Sequence, residues 1–147
     1  MKLSEEVVRF KSWAQTRLAP EWQAKGFSHA DAEWECDYPE WGSIYAAIAD
    51  GLKCDAVLSD SDMRDLVYIL ARDNEDERVM EMLVSRPDIT FALCDWSADE
   101  PQARWQLAVA LGKIGSPAAK ERLAAFATDH DEYVRRRARY ALEEFKA

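Results

Sequence analysis

Near the end of this 147-residue chain lies a translated copy of itself, and it limits the possible folds more than anything else in the sequence. PQARWQLAVALGKIG at 101–115 aligns with EYVRRRARYALEEFK at 132–146, an offset of 31 residues. Ala103, Leu107, Ala110, Leu111 and Ile114 then fall on Val134, Ala138, Ala141, Leu142 and Phe145, and Arg104 falls on Arg135. The spacing i, i+4, i+7, i+8, i+11 is one apolar stripe of an α-helix, so two helices present the same face a fixed distance apart. Between them a return helix is predicted. Gly115 can close the first helix in the left-handed conformation, Ser116 can cap the next, and Pro117 suits a first helical position, where its missing donor costs nothing. Ala119, Leu123 and Phe126 form its inner face.

Helix, tight turn, helix, Asp-bearing loop and helix make an array of stacked α-hairpins, in which no unit buries its apolar side without a neighbour. The stretch from Asp99 to Leu142 resembles the short HEAT-like repeat of phycobilin lyases and bacterial adaptor proteins. The family pattern is an acid, then VR, then an alanine-rich stripe ending in Leu and Gly. It reappears as Glu100-Pro101-Gln102-Ala103-Arg104 and Asp131-Glu132-Tyr133-Val134-Arg135. The resemblance implies an all-α, right-handed α-α superhelix of HEAT-like hairpins. It also implies that Arg104 and Arg135 tie neighbouring loops together through Asp or Glu. Such a fold hosts many unrelated tasks, so function has to come from particular residues.

Earlier in the chain the repeats are too degenerate to recognise, but helical spacing continues. Leu3, Val7, Phe10, Ala14 and Leu18 mark a helix over about 4–19. The next stretch holds Trp22, Phe27, Trp34, Tyr38 and Trp41, which either seal the open end of the stack or stand exposed for a partner. Pro39 starts a helix with Trp41, Ile44, Tyr45, Ile48 and Leu52 inward. Further helices are predicted over 62–72 and 75–85, the latter ended by Arg86-Pro87. Asp88 can cap a short helix carrying Ile89, Leu93 and Trp96. No alternation of period two suggests a sheet. The expected organisation is one domain: an N-terminal helix and aromatic region over 1–40, degenerate hairpins over 41–98 and recognisable repeats over 99–147.

Net charge is −9, unevenly spread. Residues 28–100 hold 19 acids against 5 bases, a net of −14, whereas residues 1–27 are +2 and residues 101–147 are +3. An acidic middle attracts basic partners and repels nucleic acid and anionic membranes. No apolar run reaches the roughly 18 residues that would span a bilayer, and the charged start, MKLSEEVVRF, is unlike a signal peptide. Three widely spaced cysteines, Cys36, Cys54 and Cys94, suggest buried free thiols in a reducing cytoplasm.

Residue types for catalysis are sparse. His130 lies among Asp129, Asp131 and Glu132, where acids serve as helix caps, and no phosphate loop, GxSxG or HExxH occurs. His29, Asp31, Glu33 and Cys36 fit no common zinc spacing. No enzyme, metal or cofactor is expected. The candidate partner-binding residues are the acids Asp60, Asp62, Asp65, Asp73, Glu75, Asp76 and Glu77, with Trp34, Tyr38 and Trp105 as aromatic anchors. Small acidic helical proteins of this kind resemble bacterial immunity proteins, which neutralise a toxin, often a basic nuclease. That resemblance implies a protein, monomeric when free, that captures a basic toxin or nuclease domain through carboxylates. A general adaptor, a bilin-lyase-like cofactor handler and a DNA binder are the alternatives.

Overall fold

The computed structural model describes residues 2–17, 35–53, 55 and 57–145. Every regular element among them is helical, as the repeat pattern requires. Packing divides the chain into two compact units, Met1–Asp65 and Leu66–Ala147. The division falls inside a helix.

In the first unit, helix α1 (Leu3–Arg17) packs on α2 (Trp41–Lys53), and a 3-10 turn at Glu35–Asp37 leads into the latter. The predicted stripes are the buried ones: Leu3, Val7, Phe10 and Ala14 from α1, and Trp41, Ile44, Tyr45, Ile48 and Leu52 from α2. An aromatic cluster joins them. Tyr38 meets Phe10 edge-on at 5.0 Å and Trp13 at 5.2 Å, and Trp41 stacks on Tyr45 at 5.6 Å. Trp41 donates its indole N–H to the Glu35 carbonyl at 2.8 Å, so the one polar atom of a buried ring is satisfied. Leu18, the last residue of the predicted α1 stripe, lies outside the described residues, as do Trp22, Phe27 and Trp34.

Helix α3 (Asp60–Arg72) starts two residues before the predicted 62. A reciprocal capping box explains the early start: Ser59 Oγ accepts from the Asp62 amide at 3.1 Å, and Asp62 accepts from the Ser59 amide at 3.1 Å.

The second unit holds the end of α3, then α4 (Arg78–Val84), α5 (Pro87–Cys94), α6 (Pro101–Ile114), α7 (Pro117–Phe126) and α8 (Glu132–Glu144). Helix α4 is shorter than the predicted 75–85, because Glu77 takes a left-handed φ of 54° and turns the chain just before it. Asp88 does not cap α5; it lies in the first turn with Pro87 at its start, and its carboxylate pairs with Arg86 at 2.9 Å. The turn between α6 and α7 forms as its residues dictate: Gly115 has φ 72°, and Ser116 accepts from the Ala119 amide at 3.1 Å.

Helix α6 is the axis of this unit, packed by α4, α5, α7 and α8. That explains why every residue from Ala103 to Ala108 is buried, against the one-sided stripe of an ordinary surface helix. Most of the repeated stripe is buried in both copies, Ala103, Leu107, Ala110 and Leu111 in α6 and Val134, Ala138 and Ala141 in α8, while Leu142, the copy of Leu111, is half-buried, as are Ile114 and Phe145. They approach closely at Gly112, where an added Cβ would lie 2.9 Å from the Ala141 Cβ. Gly112→Ala should therefore destabilise the protein by about 1–3 kcal/mol despite its better helix propensity. Adding Ala141→Gly should return part of that loss in a double-mutant cycle followed by urea unfolding; purely additive losses would show that the contact is unimportant.

Candidate functional site

The polar geometry of the second unit centres on the arginine that the repeat carries. Arg104 is 5% exposed and its guanidinium is saturated. Nε donates to Asp129 Oδ2 at 2.9 Å and Nη2 to Asp129 Oδ1 at 3.3 Å, a bidentate grip on the loop before α8. Nη1 turns back to the loop before its own helix, donating to the carbonyls of Ser97 at 3.1 Å and Ala98. Asp129 also accepts from the Asp131 amide at 2.9 Å, and Asp131 in turn caps α8 by accepting from the Val134 amide at 3.1 Å. Burial alone would raise the Asp129 carboxyl, but the Asp131 amide and the Arg104 guanidinium outweigh it and hold its pKa below the usual carboxylate range.

Arg135 repeats half of this arrangement. Its Nη1 donates to the Asp129 carbonyl at 2.7 Å, the position 31 residues on from Ala98. Each repeat arginine thus anchors the loop that precedes its own helix. His130, beside this pair, is exposed, with Nε2 3.4 Å from Arg104 Nη2.

The end of α3 is fixed just as completely. Its last carbonyls lack intrahelical partners: that of Ile69 accepts from the Asp73 amide at 2.9 Å, that of Leu70 from Gln106 Nε2 at 2.6 Å, and that of Ala71 from Asn74 Nδ2 at 3.1 Å. Asp73 itself is 3% exposed and accepts from the Val79 amide at 2.9 Å, capping α4 across the loop. Asp73 is therefore corrected from surface acid to loop anchor. Glu75 and Asp76 remain exposed at the tip, and Glu77 is half-buried at the left-handed turn.

The other candidates divide similarly. Asp60 is exposed; Asp62 is half-buried in the capping box, and Asp65 is half-buried with its pKa raised by burial, against Lys11 and with Asp62 adding repulsion. Tyr38 and Trp105 are also corrected, since each is nearly closed to solvent, at 6% and 5% exposure. Burial raises the Tyr38 hydroxyl's pKa, and the nearby Glu6 and Glu40 carboxylates push it the same way. Trp105 packs between the repeats, edge-on to Tyr133 at 5.4 Å and under the Arg137 guanidinium at 4.9 Å, and donates to Gln102 Oε1 at 2.7 Å. Trp34 lies outside the described residues.

Several acids of the middle are answered by nearby bases. Glu81 pairs with Lys113, Glu100 with Arg72 at 2.8 Å, and Asp88 with Arg86. Glu100 holds the repeat position of the cap Asp131, yet its side chain makes no cap bond and serves Arg72 instead. Cys36 is exposed, not buried as expected; Cys94 is half-buried, and burial pushes its thiol up to about 11. Cys54 lies outside the described residues, as do His29, Asp31 and Glu33. No group of three or more metal-ligating side chains occurs among the described residues, and no helix there is long and apolar enough to cross a membrane.

Sequence reading missed Gln106, whose polar side chain sits on a buried helix face. Its only signal was that it interrupts α6 next to the apolar stripe.

The segment of helical hairpins that these arginines hold is similar to a HEAT-like repeat. The family model of HEAT repeats matches residues 84–143, from the end of α4 through most of α8. The match reaches 15 residues before the recognisable repeats at 99, taking in α5. HEAT repeats generally mediate protein–protein interaction, and a binding or scaffolding role fits this segment. No curated protein and no solved structure matches the chain.

Removing the Arg104 carboxylate partner leaves a charge buried, so Asp129→Ala should cost about 3–5 kcal/mol. Because the folded-state pKa of Asp129 is depressed, its contribution is full above the unfolded value near 4 and is lost as pH falls through the folded value. Stability measured by urea unfolding should fall with acidification below about pH 4, less steeply in Asp129→Asn. Equal acid sensitivity in the two proteins would remove Asp129 from that role.

Proposed function

We propose that this chain is a non-enzymatic protein-binding module that captures a basic partner through its exposed acids. The observation that carries this reading is the loop Asp73–Glu77. Its frame is built from a buried carboxylate, an asparagine on a helix-end carbonyl and a left-handed residue, and it presents Glu75 and Asp76 to solvent. Such pre-organisation lowers the ordering cost of binding. Exposed carboxylates steer a basic partner and chiefly raise the association rate.

In its most concrete form this is an immunity or inhibitor protein of the cytoplasm that neutralises a basic toxin. The acid Asp73 and the aromatic residues Tyr38 and Trp105 are engaged inside the protein, so the partner would meet a carboxylate rim. The second reading is a general adaptor. It is favoured by the distribution of charge: the unit Met1–Asp65 holds 13 acids against 7 bases, and Leu66–Ala147 holds 15 against 12. The second unit thus offers surfaces of both signs.

The test is affinity capture from the native cell at low salt, followed by rate measurements on the recovered partner. Each exposed ion pair is worth up to about 1 kcal/mol, so reversing Glu75 and Asp76 together to Lys should slow association by about tenfold. The difference should shrink at about 1 M salt, where screening acts within about 3 Å. Unchanged association of the double reversal would rule this loop out, and a single tight basic partner would favour inhibitor over adaptor.

A further inference from the structure

Helix α8 is received by α6, and the repeat places an equivalent receiving face on α8 itself. Trp105 and Gly112 are α6 residues that meet Tyr133, Arg137 and Ala141 of α8. Thirty-one residues on, they become Arg136 and Glu143. With Glu132, Arg135, Arg139 and Tyr140 these line a shallow groove along α8. Arg139 and Tyr140 are exposed, the ring at 60%.

Arg135 shows what this groove lacks. In Arg104 the atoms Nε and Nη2 grip the carboxylate of the following loop, while Nη1 holds the preceding one. In Arg135 only the Nη1 bond is made among the described residues. The geometry points to a second docking surface here, whose occupant is a helix of another protein that lays an aspartate or glutamate from its leading loop onto Arg135.

The occupant's character follows from the substitutions along the face. Where α6 offers Trp105, α8 offers Arg136, so the visiting helix needs an acidic residue where α8 itself carries Arg137. A second copy of this chain would set Arg137 against Arg136, like against like. Glu143, at the position of Gly112, also forbids the close approach that Ala141 makes to α6. The visitor is therefore held by charge and by the Tyr140 ring along α8, apart from the acidic loop.

The probe is a stapled helical peptide copying residues 126–145 with Arg137→Glu, titrated into the ¹⁵N-labelled full chain. Amide shifts should cluster on the outward face of α8. Affinity should fall at least tenfold with Arg139→Glu in the protein and with the peptide's Asp129→Asn. Arg139 and Tyr140 are exposed, so Arg139→Glu and Tyr140→Ser probe the face without disturbing the fold; Arg135→Gln, which also loses a backbone bond, is read beside them with a thermal melt as control. Absent shifts, shifts elsewhere, or indifference to the peptide's Asp129→Asn would overturn the assignment. Equal binding by the unaltered Arg137 peptide would also overturn it, and would make a second copy the occupant.

Discussion

A guanidinium buried between two loops sets the terms for the second unit. Taking a charged group out of water costs several kcal/mol unless its attraction to a partner and its hydrogen bonds are both well made. Arg104 meets that condition only when the Asp129 carboxylate lies on one side and the Ser97 and Ala98 carbonyls on the other. The loop before α6 and the loop before α8 are consequently held in one arrangement, and with them the register of the two helices. Gly112 against Ala141 and Trp105 against Tyr133 are consequences of that register.

The same constraint redistributes charge. Along the chain the acids are concentrated in the middle and the bases near the end, but folding brings Lys113 to Glu81 and lays Arg122 against the Phe91 carbonyl and ring. The acids left facing solvent are fewer than the count suggests, with Glu75 and Asp76 among them. The arginines of α8 that have no loop to hold stay on the surface. One unit then carries an acidic tip and, on α8, a face lined by arginines and a tyrosine.

How much of this was legible depended on whether a residue's role was set by its own helix or by a distant one. The stripes, the Gly115-Ser116-Pro117 turn and the hairpin order follow from local periodicity and capping, and all are visible in the sequence. Asp73 was misread because its carboxylate is committed to Val79, across a turn that depends on an improbable left-handed glutamate. Trp105 lies off the common stripe because a central helix is covered on several sides, and a stripe describes only one. The Arg104 grip on Asp129 spans 25 residues, and only the repeat itself hinted at it. Tyr38 belongs to a cluster formed by α1 and α2 together, which neither helix announces alone.

Native-state hydrogen exchange on α6 and α8 tests the central claim most directly, because local opening and shared opening leave different signatures. If the buried Arg104–Asp129 pair makes the two helices one cooperative element, their innermost amides will exchange with a common opening free energy. Asp129→Asn will then lower protection in both helices by the same amount. Protection lost from α8 alone, with α6 unchanged, would contradict the account.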